Sequence, residues 1–280
     1  MKKIQVFISF LLVTGITLFY WGCASSDTNP DYDYGMAADN ALAENSYEDA
    51  GDWSDMSMGL DFPKSTLIDT VYKGTCVVAT LDTTLTPRKL TIDFGTTNCK
   101  CDDNKYRRGQ IIVTYTGKYF RKGTVITHTF DNYYVNDNKI LGTRTITNMG
   151  RNASDHLSWD IVVAGQIVKA NNGGTITWNC ERTREWIAGE GQTHVNWEFA
   201  ITGSAYGSRS GGVTYTSKIT EQLIRKASCP WIVSGLLVVQ PLGYPAIGLN
   251  YGNGDCDNNI FATINGKSLA YKLTRHAACA

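Results

Sequence analysis

The sequence predicts an all-β body laid out as an antiparallel meander, and three observations predict it. Residues 64–280 are rich in Thr, Val, Ile, Tyr and Trp, the β-branched and aromatic types that suit a pleated surface. Alternating runs recur along this stretch. In 110–119, Ile112, Thr114, Thr116 and Lys118 face one way while Ile111, Val113, Tyr115 and Gly117 face the other, the period of two that a half-buried strand shows. Short Gly- and Asn-bearing turns separate the runs, and such turns join neighbouring antiparallel strands. About twelve strands are expected, closing either as a sandwich or as one long curved sheet.

The chain begins with Lys2 and Lys3, followed by an apolar run over 4–21 that only Gln5, Ser9, Thr14 and Thr17 dilute. That is the pattern of a secretory signal. Gly22-Cys23-Ala24-Ser25-Ser26-Asp27 follows. A small residue before a lone cysteine at this place resembles the lipobox of bacterial lipoproteins. The resemblance implies a signal peptide over 1–22, a lipidated Cys23 and an outer-membrane location in the cell envelope, facing the periplasm or the surface. Tyr20 and Trp21 stand where the lipobox has an aliphatic and a small residue. Two alternatives stay open: an uncleaved signal anchor, since the run can span about 30 Å of hydrocarbon, and a soluble secreted product. All three export the body.

Residues 24–63 contain ten acids and no Lys or Arg, whereas the chain after 63 has 24 basic against 16 acidic residues. The neutral total hides this split. An acidic, weakly aliphatic stretch behind an anchor reads first as a solvated tether, here 23–63. Asp27, Asp31 and Asp33 also resemble the acidic surface-display signal of some Bacteroidota-type lipoproteins. Alternatively, Met36, Ala43, Tyr47, Ala50 and Trp53 fall at helical spacing, so a few turns between Gly35 and Met56 can dock on the basic body.

Within the body, strands are expected near 90–94, 110–119, 124–134, 138–148, 157–169, 175–186, 195–202, 213–225, 231–239, 246–251, 260–264 and 268–273. Asn265-Gly266 between two alternating runs is the strongest hairpin signal. A faint repeat relates 92–99 to 249–256: each ends a strand with an aromatic-Gly pair and has a cysteine four residues after that Gly. Each also has a cysteine one strand upstream. Antiparallel neighbours bring Cys229 beside Cys256 and Cys76 beside Cys99, within disulfide reach, and export makes such bridges durable. Cys101 competes with Cys99, and Cys180 and Cys279 are left over. The opposing reading is buried free thiols.

Ile92-Asp93-Phe94-Gly95, Arg108–Gly117, Phe130–Asn136, Arg182–Gly189, Trp231–Gly235 and Tyr251–Asn258 resemble an uncharacterised family of Bacteroidota-type β-rich envelope lipoproteins of unknown function. The likeness spans most of 76–273. It implies a β-rich body and an envelope location, and it carries over no catalytic residue.

Chemistry-bearing motifs are few. There is no phosphate-cradling loop and no Gly-x-Ser-x-Gly elbow; Gly207-Ser208-Arg209-Ser210-Gly211 reads as a hairpin turn. His128, His156, His194 and His276 are scattered, with no pair at i and i+4, and His128 reads as a sheet-surface residue. Asp255, Asp257 and Asn259 alternate like the first oxygen ligands of a calcium loop. Ile260 replaces the turn glycine and no Glu closes the loop, so a plain Asx-rich turn competes with calcium.

Trp159, Trp178, Trp186, Trp197, Trp231, Tyr115, Tyr133, Tyr134 and Tyr215 offer either core or a platform for sugars or proteins. Arg182, Arg184 and Glu185 beside Trp186 form the candidate binding patch, set against a cross-strand ion pair on a solvated face. The expectation is thus a non-catalytic lipid-anchored module, structural or binding a glycan or an envelope protein. It uses no cofactor unless calcium, meets the membrane through its lipid and has no nucleic-acid partner. The alternative is an envelope glycoside hydrolase using paired carboxylates from Asp160, Glu185 and Glu198.

Overall fold

A computed structural model describes residues 34–57, 70–71, 77–101, 103–229 and 231–272. The expected signal peptide, Cys23, Cys76 and Cys279 lie outside the described residues. Fifteen strands make one antiparallel sheet: β1 (Thr70–Val71), β2 (Val78–Asp82), β3 (Arg88–Asp93), β4 (Cys99–Lys100), β5 (Tyr106–Tyr115), β6 (Val125–Val135), β7 (Asn138–Arg151), β8 (Leu157–Val168), β9 (Thr175–Ala188), β10 (Glu198–Arg209), β11 (Thr214–Lys226), β12 (Ile232–Pro241), β13 (Ile247–Asn253), β14 (Asn259–Ile264) and β15 (Lys267–Lys272). They follow one another in chain order, with only β4 off the path against β5. Of the two closures expected, the chain takes the long curved sheet.

Local chemistry explains the order. Asn136 and Asp137 between β6 and β7 have φ of 49° and 61°, and Asn265 and Gly266 between β14 and β15 have 48° and 76°. These left-handed values suit Asn, Asp and Gly, and they give two-residue turns whose twist matches that of the strands. The sequence repeat is also a structural one. Asp93 Oδ1 accepts the Gly95 N–H and Asn250 Oδ1 accepts the Gly252 N–H, at 2.7 and 2.9 Å. Phe94 and Tyr251, between those pairs, are buried.

Among the described residues one α-helix, α1 (Gly35–Ser57), lies against one face of the sheet. It touches strands from β3 to β12, and of its described side chains only Asn45 and Asp52 are exposed. The sheet therefore curls round the helix, which occupies the place a second sheet would take in a sandwich. Register shifts at Arg108/Gln110, Ile201/Ser204 and Ser234/Leu236 mark bulges, which bend strands and increase twist. Residues 35–57 are thus a packed element and not a solvated tether, and Met36, Ala43, Tyr47 and Ala50 are among its buried residues.

Two glycines let the helix and the sheet close up. Tyr47 stacks on Trp178 with centroids 5.7 Å apart, and its hydroxyl donates to the Leu141 carbonyl at 2.8 Å. It reaches that carbonyl over Gly165, where a Cβ would lie 2.0 Å from the hydroxyl. On the helix side, a Cβ on Gly51 would meet the Arg144 guanidinium at 2.9 Å. Both slots are filled by the partner, so any added atom displaces a buried side chain. Gly165→Ala is expected to cost about 1–3 kcal/mol in urea unfolding. The same change should cost much less in a Tyr47→Ala background, where the clashing ring is gone.

Candidate functional site

The inner face, towards α1, holds most of the residues singled out from the sequence, and it holds them for packing. All six acids of the helix meet a basic side chain of the body. Asp39 pairs with Lys169 at 2.8 Å and Arg209 at 3.4 Å, and Glu44 with Arg182 at 3.0 Å. Glu48 pairs with Arg144 at 3.2 Å and Arg225 at 3.5 Å, and Asp49 with Arg107 at 2.6 Å and Lys105 at 2.7 Å. Asp52 pairs with Arg225, and Asp55 lies 3.9 Å from Arg184. Arg107 and Arg144 are fully buried. A buried charge is tolerated only when paired and hydrogen-bonded, and helix and sheet supply each other's counter-ions.

This corrects the candidate binding patch. Arg182, Arg184 and Trp186 are buried on the inner face, whereas Glu185 points to the outer face, 3.6 Å from His156 Nδ1. Neighbours in a strand alternate in direction, so the four residues cannot form one surface. Trp186 belongs to an aromatic cluster with Trp197, its centroid 4.4 Å away, and Phe199 at 5.9 Å. The Arg184 guanidinium lies over Trp159 and Phe199. Tyr115, Tyr133, Trp159, Trp178 and Tyr215 are core, not a platform. His128 is a second correction: it is fully buried on the inner face, its Nδ1 3.3 Å from the Arg144 carbonyl. Burial and the nearby Arg144 charge hold its pKa down at about 3, so it is neutral.

The remaining candidates are scattered. Cys229 and Cys256 form a disulfide with Cα atoms 5.7 Å apart. Cys99 is disulfide-bonded, while Cys101 and Cys180 are buried free thiols. Asp255 and Asp257 are exposed, and Asp257 Oδ1 accepts the Asn259 N–H at 2.9 Å, the geometry of an Asx turn. Among the described residues no group of His, Cys, Asp or Glu is gathered so as to hold a metal. Asp160 accepts a hydrogen bond from Thr183 Oγ1 at 3.0 Å. Asp160, Glu185 and Glu198 all lie outside a groove that combines an exposed ring with polar side chains.

That groove is on the outer face, across β9–β12, and encloses about 550 Å³. Strand register assembles it in two rows. Asn179 faces Tyr206, Tyr206 faces Thr216, and Thr216 faces Gln240. Beside them Thr177 faces Ser208, which faces Thr214, and Leu242 closes the row through its N–H to the Thr214 carbonyl. Tyr206, on the sheet face, is 61% exposed, and Leu242, in the turn that follows β12, is 75% exposed. No charged residue lines the groove. Sequence reasoning missed these residues. The available signal was the outer-face series Ser204, Tyr206 and Ser208 on β10, but only the pairing register shows what lies beside it.

The inner-face carboxylates predict an unusual pH profile. Burial works against ionisation of Glu48, yet Arg144, Arg225 and Arg184 override it and bring its pKa from 4.5 to about 2. Burial likewise opposes ionisation of Asp49, and Lys105 and Arg107 hold it well below the usual range. Both pairs stabilise the fold above the unfolded pKa, and that stability is lost as pH falls through the folded one. Asp55 has the opposite sign: burial, only partly offset by Arg184 and Arg144, pushes it up to about 6, so the folded state gains on its protonation. The urea midpoint should therefore rise as pH falls from about 7 to about 5 and drop below about pH 4. Asp55→Asn should abolish the rise and keep the drop.

Compared with known proteins, the chain matches no family model, and neither a curated protein nor a solved structure is significantly similar to it.

Proposed function

We propose that the chain is a lipid-anchored envelope protein, acylated at Cys23, whose body is a non-catalytic binding module with the outer-face groove as its binding surface. The observation that carries this reading is the groove: exposed Tyr206 and Leu242 amid Asn, Thr, Ser and Gln side chains, on the face the helix leaves free. Exposed apolar side chains set among convergent polar groups are the usual mark of a recognition surface. The carboxylates considered for glycosidic chemistry contribute nothing to it, and a binding role needs no acid–base pair.

The anchor and the body are joined through α1. Twelve positions separate Cys23 from Gly35, a reach of at most about 40 Å. The ion pairs of α1 would then carry any pull between membrane and body. Cys23→Ala is expected to move the protein from the membrane to the soluble fraction and to abolish acyl labelling, with the far-ultraviolet circular dichroism spectrum unchanged. Retention in the membrane without label would point to the uncleaved anchor instead.

A further inference from the structure

We infer that the groove takes a neutral, extended oligosaccharide laid across β9–β12 with one sugar face on Tyr206; this deepens the binding-surface reading above and rests on it. Charge narrows the ligand first. The body has an excess of basic residues, yet the groove is lined by none, and by no acid. A phosphorylated, sulfated or uronic-acid ligand would find no counter-ion there.

Topology narrows it further. β9–β12 are each paired on both sides, so the groove lies in the middle of the sheet and offers no free edge to which a peptide strand could add. A ligand must be recognised by side chains alone. Those side chains combine a flat apolar ring with groups that both donate and accept hydrogen bonds, as the apolar ring face and the hydroxyls of a sugar require. Asn179, Tyr206, Thr216 and Ser208 make no side-chain hydrogen bond to any described residue, leaving those groups open to a ligand. Gln240 is already oriented: its Nε2 donates to the Pro241 and Tyr244 carbonyls at 3.0 and 2.9 Å, which leaves Oε1 as an acceptor held in place. Such fixed groups lower the ordering cost of binding. The row from Asn179 to Gln240 crosses three inter-strand steps, about 14 Å, the length of a short oligosaccharide and more than one monosaccharide.

The test is calorimetric titration of the full chain in detergent micelles with uncharged linear hexasaccharides, their monosaccharides, and uronic-acid and phosphorylated hexasaccharides. An uncharged hexasaccharide should bind more tightly than its monosaccharide and than the acidic sugars. Tyr206→Ala should weaken binding by at least roughly tenfold, and Tyr206→Phe by less than about threefold. Leu242→Ser serves as a second exposed variant and should also weaken binding. No binding of any uncharged sugar, or binding that neither Tyr206→Ala nor Leu242→Ser alters, overturns the inference. A photo-cross-linker at position 206 separates the two levels. A captured envelope protein without sugar binding overturns the glycan and leaves the binding surface standing, whereas neither capture nor sugar binding overturns both.

Discussion

The fold depends on seating the six carboxylates of one helix, three of them (Asp39, Glu44 and Asp49) buried, against a sheet that supplies their counter-ions. A carboxylate taken out of water costs several kcal/mol unless a partner and hydrogen bonds replace its hydration. Each acid of α1 meets a basic side chain of the sheet, from Lys105 and Arg107 at β5 to Arg209 on β10 and Arg225 on β11, the last shared by Glu48 and Asp52. Rotating or sliding the helix would break several pairs together. The polar contacts thereby set its register, while Tyr47 over Gly165 and Arg144 against Gly51 set its depth. Asn40 adds a neutral pin: its Oδ1 accepts from Trp178 Nε1 at 3.0 Å and Ser217 Oγ at 3.1 Å.

This arrangement divides the labour between the two faces of the sheet. The inner face is filled by the helix, so its arginines and tryptophans, which look like recognition residues in isolation, are occupied. The outer face is left uncovered by the helix. A ligand surface built on β9–β12 inherits the rigidity of strands paired on both sides, which holds side chains more precisely than a loop would. The charge-free row around Tyr206 stands apart from a body that sends eight basic side chains inward to the helix.

Much of the fold was legible in the sequence. The twelve strands expected from alternation correspond to β3 and β5–β15, and Asn136-Asp137 and Asn265-Gly266 are the turns their chemistry predicts. Pieces as short as β1 and β4, two residues each, carry too little periodicity to read. The helix was legible only as an alternative. Many of its positions are Ala and six are acidic, so hydropathy points outward while the structure points inward; the missing information was the string of arginines on the facing strands. Arg182 and Arg184 were singled out beside Trp186, yet alternation could not say which face of β9 is covered. The groove was hidden for a related reason. Asn179, Tyr206, Thr216 and Gln240 lie far apart along the chain and become neighbours only through register.

The central claim is that paired charges seat the helix. A double-mutant cycle on Glu44 and Arg182, which are 3.0 Å apart and buried, tests it most directly through urea unfolding of Glu44→Gln, Arg182→Met and the double variant. The account predicts that each single change costs about 3–5 kcal/mol, because it strands the other charge, and that the double variant is little worse than either. Small, additive losses would contradict it.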